Sequence, residues 1–180
     1  FAVTFSPDGK LLATGGSDNQ VNIWDVATGA LLQKIDKLKS QVYNIAISPD
    51  NSKLAFFNDQ REIVLWDITS GKIVKKLDCI TGVIFNLTFS PNGKYLAVCG
   101  DGVHVETINV DTGDWSDRYS NRMVHTRSLT FSPDGKYWQW VIKMVQSLCG
   151  IRLQNRIRIL FWITKKSNIT TIAVLTENSC

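Results

Sequence analysis

Histidine is scarce in this 180-residue chain, and the two present, His104 and His125, have no Cys, Asp or Glu at metal-ligand spacing. A zinc-type centre is thereby excluded. The four cysteines, Cys79, Cys99, Cys149 and Cys180, show neither metal spacing nor a disulfide framework. They read as free thiols of a reducing compartment, the cytoplasm or, alternatively, the nucleus. No glycine-rich loop follows a strand to open a helix, so no phosphate cradle is expected. The run Cys99-Gly100-Asp101-Gly102 imitates one, but it falls where neighbouring segments turn from one strand to the next. The first residues hold no initiating Met, charged leader or apolar stretch, and the chain reads as cut at its start. Asn86-Leu87-Thr88 fits a glycosylation pattern, yet it lies within an expected strand. No catalytic residue, cofactor or metal site is expected.

A basic excess is also missing from most of the chain. The net charge is +4, but residues 1–137 carry 14 Lys and Arg against 15 Asp and Glu. The excess lies in residues 138–180, with 6 basic side chains and only Glu177. Neither a nucleic-acid partner nor a membrane is indicated. The stretch from Val141 to Lys166 interleaves apolar and basic residues like a surface-binding helix, but Gly150 interrupts it and its β-branched content suits a strand equally.

What is present is a repeat. Ser-Pro recurs at Ser6-Pro7, Ser48-Pro49, Ser90-Pro91 and Ser132-Pro133, each 42 residues after the last. Trp24-Asp25 and Trp66-Asp67 keep the same beat, followed by Thr28-Gly29, Ser70-Gly71 and Thr112-Gly113. In the Ser-Pro-Asp-Gly-Lys segment, Pro presets φ, Asp can bond nearby amides and Gly permits a left-handed conformation. A tight turn therefore follows strands ending at Phe5, Ile47, Phe89 and Phe131. Each unit then offers three more short apolar strands separated by polar turns, which makes four antiparallel strands per period.

The period, the Phe-Ser-Pro-Asp-Gly-Lys turn and the Trp-Asp strand ending resemble the WD-repeat β-propeller family across residues 1–137. The resemblance implies an all-β fold, an incomplete propeller of about three and a half four-stranded blades. Residues 1–35 form blade 1, truncated at its start; 36–77 form blade 2, 78–119 blade 3, and 120–137 the start of blade 4. The Trp is expected to pack between neighbouring sheets. The third unit departs, with Ile108-Asn109 where Trp-Asp is due. The Gly-His pair common in the family is replaced by Lys37-Leu38, Cys79-Ile80 and Asn121-Arg122, so the blades are expected to rest mostly on apolar packing.

The fourth unit breaks after Tyr137. An aliphatic residue and Ala are due at 138–139 and Trp-Asp at 150–151; the chain has Trp138-Gln139 and Gly150-Ile151. Reading the permitted codons one base earlier restores the aliphatic residue and Ala. It also restores Trp at position 150, if the Cys149 codon ends in T, with Asn or Asp allowed next. Residues 138–180 therefore read as an aberrant, out-of-frame tail.

The resemblance implies a non-catalytic platform that gathers other proteins. One alternative is the regulatory or targeting part of a larger enzyme whose catalytic domain lies upstream; another is a truncated, inactive product. The residue just inside each first strand is expected to face the central opening. Phe1, Tyr43, Phe85 and Arg127 hold that place, and Tyr43, Phe85 and Arg127 are the candidate partner-binding residues. An incomplete ring is further expected to self-associate through exposed blade edges.

Overall fold

The structure, a computed structural model, describes residues 2–36, 38, 40–78, 82–101, 104–120, 124–135, 137–144, 159–165 and 168–170. For residues 104, 116–120, 124–127, 137–144, 159–165 and 168–170 the description is of the backbone. No helix occurs among the described residues, so none there is long and apolar enough to cross a membrane. The strands form four sheets, each a four-stranded antiparallel meander in chain order. Blade 1 comprises β1 (Ala2–Phe5), β2 (Leu11–Gly15), β3 (Val21–Asp25) and β4 (Leu31–Ile35). Blade 2 comprises β5 (Val42–Ile47), β6 (Lys53–Asn58), β7 (Glu62–Asp67) and β8 (Lys72–Asp78). Blade 3 comprises β9 (Ile84–Phe89), β10 (Tyr95–Gly100), β11 (His104–Asn109) and β12 (Trp115–Ser120). A fourth sheet comprises β13 (Val124–Phe131), β14 (Tyr137–Met144), β15 (Ile159–Lys165) and β16 (Asn168–Thr170).

The turn after each first strand shows why the repeat begins with serine. Ser48 is buried; its hydroxyl donates to Asp50 Oδ1 at 2.6 Å and accepts from the Lys53 amide at 2.8 Å. The Ser52 amide reaches the same carboxylate at 3.0 Å. Ser6 with Asp8, and Ser90 with Asn92, repeat the arrangement. The left-handed position is taken by Gly9, Asn51, Gly93 and Gly135, with φ between 59° and 72°. Asn tolerates that conformation better than most side chains, which is how blade 2 manages without the glycine.

The turn between third and fourth strands uses the Asp of Trp-Asp. The Asp25 carboxylate accepts from the Thr28 amide at 2.7 Å, and the Asp67 carboxylate from the Ser70 amide at 2.6 Å. In blade 3, Asn109 Oδ1 accepts from the Asp111 and Thr112 amides at 3.0 and 3.1 Å. The motif departs in letters but not in chemistry, since both turns need only a short side-chain oxygen.

Blades join through apolar layers. Ala13, Val21, Ile23 and Ile35 of blade 1 pack on Val42, Ile45, Ile47, Leu54, Phe56 and Val64 of blade 2. Ala55, Phe57, Ile63 and Leu65 face Leu87, Phe89, Leu96, Val98 and Ile108 of blade 3. Burying each of these larger side chains contributes roughly 1.5–3 kcal/mol. The expectation of mostly apolar packing agrees with these layers. Trp66 packs on the joint between blades 1 and 2, and its Nε1–H donates to Gln33 Oε1 of blade 1 at 3.2 Å. The amide of Gln33 donates in turn to the Ile68 carbonyl, closing a clasp. Lys75, 42 residues on from Gln33, repeats it by donating to the Asp111 and Thr112 carbonyls at 3.1 and 2.6 Å.

The fourth sheet continues the pairing at first. Phe131 lies opposite Trp138 as Phe89 lies opposite Leu96 and Ile47 opposite Leu54. Then it departs: Tyr95 lies opposite Asn109 in blade 3, whereas Tyr137, 42 residues on, lies opposite Lys165 rather than position 151. Of the stretch read as out of frame, only the backbone of 138–144, 159–165 and 168–170 is described.

Candidate partner-binding face

The first strands β1, β5, β9 and β13 pack against one another in succession and border an open cleft of about 830 Å³. Pro7, Pro49, Pro91 and Pro133 line it at the end where the serine turns lie. Tyr43, Asn44 and Asn86 line it toward the opposite end.

At that opposite end each described first strand after β1 carries an irregularity at the same place. Val42 pairs with Asn58 and Asn44 with Phe57, leaving Tyr43 as an extra residue. Ile84 pairs with Gly100 and Asn86 with Cys99, leaving Phe85 extra. Thr126 pairs with Ile142 and Ser128 with Val141, leaving Arg127 extra. All three sequence-predicted residues are thus the inserted residues of β-bulges, which re-aim a side chain out of the ladder. Phe1, at the same register, lies outside the described residues, and the Arg127 side chain does as well.

Tyr43 is 42% exposed and its hydroxyl donates to Gln41 Oε1 at 3.4 Å, a long and weak contact. Phe85 is half-buried. Its carbonyl accepts from Asn44 Nδ2 at 2.8 Å, so blade 2 holds the bulge of blade 3 in place. Val83, 45% exposed, adds apolar surface nearby, and its amide donates to Asp101 Oδ1 at 2.6 Å. Gly100 is required there, because a Cβ on it would strike the Val83 carbonyl. Phe85 therefore sits on backbone that is braced from two sides.

Most of the lowered carboxyls belong to the turns. The Ser48 hydroxyl, with the Ser52 groups and Lys53, draws the Asp50 carboxyl down to about 2. Hydrogen bonds from the Ser6 hydroxyl, Asn51 and Lys10 hold Asp8 well below the usual carboxylate range. Asp25 and Asp67 are lowered by Thr28 and Ser70 of their own turns, and Glu62 by Asn58. Burial pushes the Cys99 thiol up to about 12, which leaves it unreactive near neutral pH. No group of three or more metal-ligating side chains occurs among the described residues. Cys79, Cys149 and Cys180 lie outside those residues, as do Lys37, Ile80, Asn121, Arg122 and the side chains of His104 and His125. Asn86 is half-buried within β9, opposite Cys99, a poor position for an attached glycan.

Sequence reasoning found the bulged residues by spacing but missed the serines, Gln33 and Lys75. The serines were legible as a marker of the period; their hydroxyls' role was not, because a turn containing Pro, Asp and Gly needs no further residue to be recognised. The clasp could have been sought as long polar side chains recurring every 42 residues in the outermost strand.

Residues 1–25 and 71–103 match the family described as WD domain, G-beta repeat. A stretch of 29 residues is 66% identical to Protein Mut11 of Chlamydomonas reinhardtii, covering 16% of this chain and 8% of that protein. The fold is similar to that of hydrazine synthase from Kuenenia stuttgartiensis, with a TM-score of 0.77 at 20% identity, over 96% of this chain and 49% of that one. The chain thus spans under a tenth of Mut11 and about half of the hydrazine synthase chain, and the second likeness concerns fold alone. Together with the 42-residue register and the four-stranded antiparallel sheets, the match shows WD repeats within an all-β fold of incomplete-propeller type.

Proposed function

We propose that this chain binds a partner protein at the face bearing Tyr43, Phe85 and Arg127, and that it does so without catalysis. WD repeats indicate an interaction-scaffold role, and the family is generally non-catalytic. The observation that carries the finer reading is the set of bulges. A bulge costs ladder hydrogen bonds, and here it recurs at one register in three successive first strands, each time around an aromatic or Arg residue. Those side chain types dominate interface hot spots.

The test is selection of a displayed peptide library on the immobilised chain, followed by affinity measurement against variants. Tyr43→Ala should weaken the selected peptides by roughly tenfold or more, with the melting temperature nearly unmoved. Leu32→Ala, an exposed apolar residue on β4, should leave binding unchanged. Peptides that bind the Tyr43 variant and wild type equally would remove this face from consideration.

A second reading, a frame-broken and inactive product, is supported by the off-period pairing of Tyr137 with Lys165. Reading the gene one frame over should then reveal a further Ser-Pro-Asp-Gly-like turn 42 residues after Ser132. A stop met at once in that frame would dispose of it.

A further inference from the structure

We propose that the Asn92-Gly93 turn of blade 3 is a self-modification site, where Asn92 loses its side-chain amide to water at a rate the turn itself restrains. Of the asparagines in the chain, Asn92 is the one followed by glycine. The serine turns of the other sheets carry Asp8-Gly9, Asp50-Asn51 and Asp134-Gly135, so blade 3 alone joins an amide to a glycine there. The backbone sets that glycine: Gly93 has a φ of 69°, a conformation that a Cβ disfavours. The missing side chain also leaves the Gly93 nitrogen unshielded, and Asn92 itself is exposed.

The reaction consumes only water. The Gly93 amide gives its proton to a solvent base, and its nitrogen attacks Asn92 Cγ. A C–N bond forms, the bond from Cγ to Nδ2 breaks and ammonia leaves, which yields a cyclic imide. Water then opens either imide carbonyl, giving aspartate or isoaspartate. Hydrogen bonds restrain both reacting groups. Gly93 N–H donates to the Ser90 carbonyl at 2.8 Å, while Asn92 Oδ1 accepts from the Ser90 hydroxyl at 2.7 Å and the Lys94 amide at 3.1 Å. Ring closure must break the first and turn the side chain away from the others, so the rate follows local opening of the turn. The products differ in what they do to the fold. Aspartate makes the bonds that Asp8 and Asp50 make in blades 1 and 2, whereas isoaspartate adds a methylene to the main chain and moves the carboxylate off its donors. Asn51 is the contrast: its Nδ2 donates to Asp8 Oδ2 at 2.9 Å, its Oδ1 is buried, and Ser52 follows it.

The experiment incubates the full chain in mildly alkaline buffer and follows every asparagine by peptide mapping and mass spectrometry, with aspartate and isoaspartate separated chromatographically. Asn92 should convert first. Ser90→Ala removes the hydroxyl that holds both Asn92 Oδ1 and the Tyr95 amide, and should speed the conversion roughly fivefold, the factor that one lost hydrogen bond allows. Ser48→Ala makes the same loss in blade 2 and should leave the Asn92 rate within roughly a factor of two of wild type. Asn92→Asp should melt with wild type, whereas aged chains should melt lower in proportion to their isoaspartate content. Another asparagine converting first overturns the proposal. So does a Ser90→Ala chain no faster than wild type, or a Ser48→Ala chain that speeds Asn92 equally, since conversion would then follow global unfolding. Should Ser90→Ala not fold, wild type in urea supplies the unrestrained rate, and an unfolded chain that converts Asn92 no faster than the folded one is equally fatal.

Discussion

Blade 1 and blade 2 are built from the same pattern and differ in what their matching faces touch. Leu54, Phe56 and Val64 of blade 2 are buried against blade 1, while Leu12, Thr14 and Asn22, at the same positions in blade 1, are half-buried. Two of those three positions are polar in blade 1 and apolar in blade 2. Alternation of apolar and polar residues along a strand thus specifies which side is a joint, and only the neighbour decides whether that joint is core or surface.

The sharpest way to break this comparison is to truncate the same residue type in both settings. Phe89→Ala should cost about 3–5 kcal/mol, because it opens a cavity in the layer between blades 2 and 3. Phe5→Ala, at the same register, should cost less than about 1 kcal/mol when urea unfolding is followed in dilute solution. Equal costs in dilute solution would mean that Phe5 is as enclosed as Phe89.

The local turns should ignore the difference. Ser6→Ala and Ser48→Ala each remove a buried hydroxyl that accepts from a backbone amide, at 2.9 and 2.8 Å. Each should cost about 1–3 kcal/mol, the penalty of leaving that amide and its carboxylate partner short of a bond. Chemical denaturation of the two variants side by side gives the check. A Ser48 variant far less stable than the Ser6 variant would show that the cost depends on what surrounds the turn and not on the turn alone.

The fold was legible because a 42-residue period with turn residues at fixed offsets leaves few alternatives to four-stranded blades. Spacing alone also picked out Tyr43, Phe85 and Arg127, which prove to be the inserted residues of bulges. What spacing could not show was the reason they stand out: a bulge is a mismatch between two strands, and it exists only once the pairing of β5 with β6 or β9 with β10 is known. The role of Asn109 stayed hidden for a different cause. The departure from Trp-Asp was read as a lost motif, whereas the turn needs an oxygen two bonds from Cβ and Asn supplies it. The fourth sheet was hardest to read, since its later strands keep no register with the rest.

Asn92 supplies an internal control for the smallest effect. It occupies in blade 3 the place of Asp50 in blade 2 and makes the same bonds, accepting from the Ser90 hydroxyl at 2.7 Å and the Lys94 amide at 3.1 Å. Asp50→Asn should therefore preserve the turn while removing its titration. Hydrogen bonds from Ser48 lower the folded Asp50 to about 2 from an ordinary value of 3.8. A group depressed in the folded state stabilises it above the unfolded value, and that contribution is lost as pH falls through the folded one. Wild type should accordingly lose stability between about pH 4 and pH 2, and Asp50→Asn should lose less over the same window while matching wild type within about 0.5 kcal/mol at pH 7. Asp8, Asp25, Asp67 and Glu62 are lowered too, so the acid slope becomes shallower rather than flat. Thermal melts at pH 7, 4 and 2.5 decide it. An Asp50→Asn variant that falls with acid as steeply as wild type would mean that the Ser48–Asp50 bond does not depend on the charge, and that blades 2 and 3 share their turn chemistry completely.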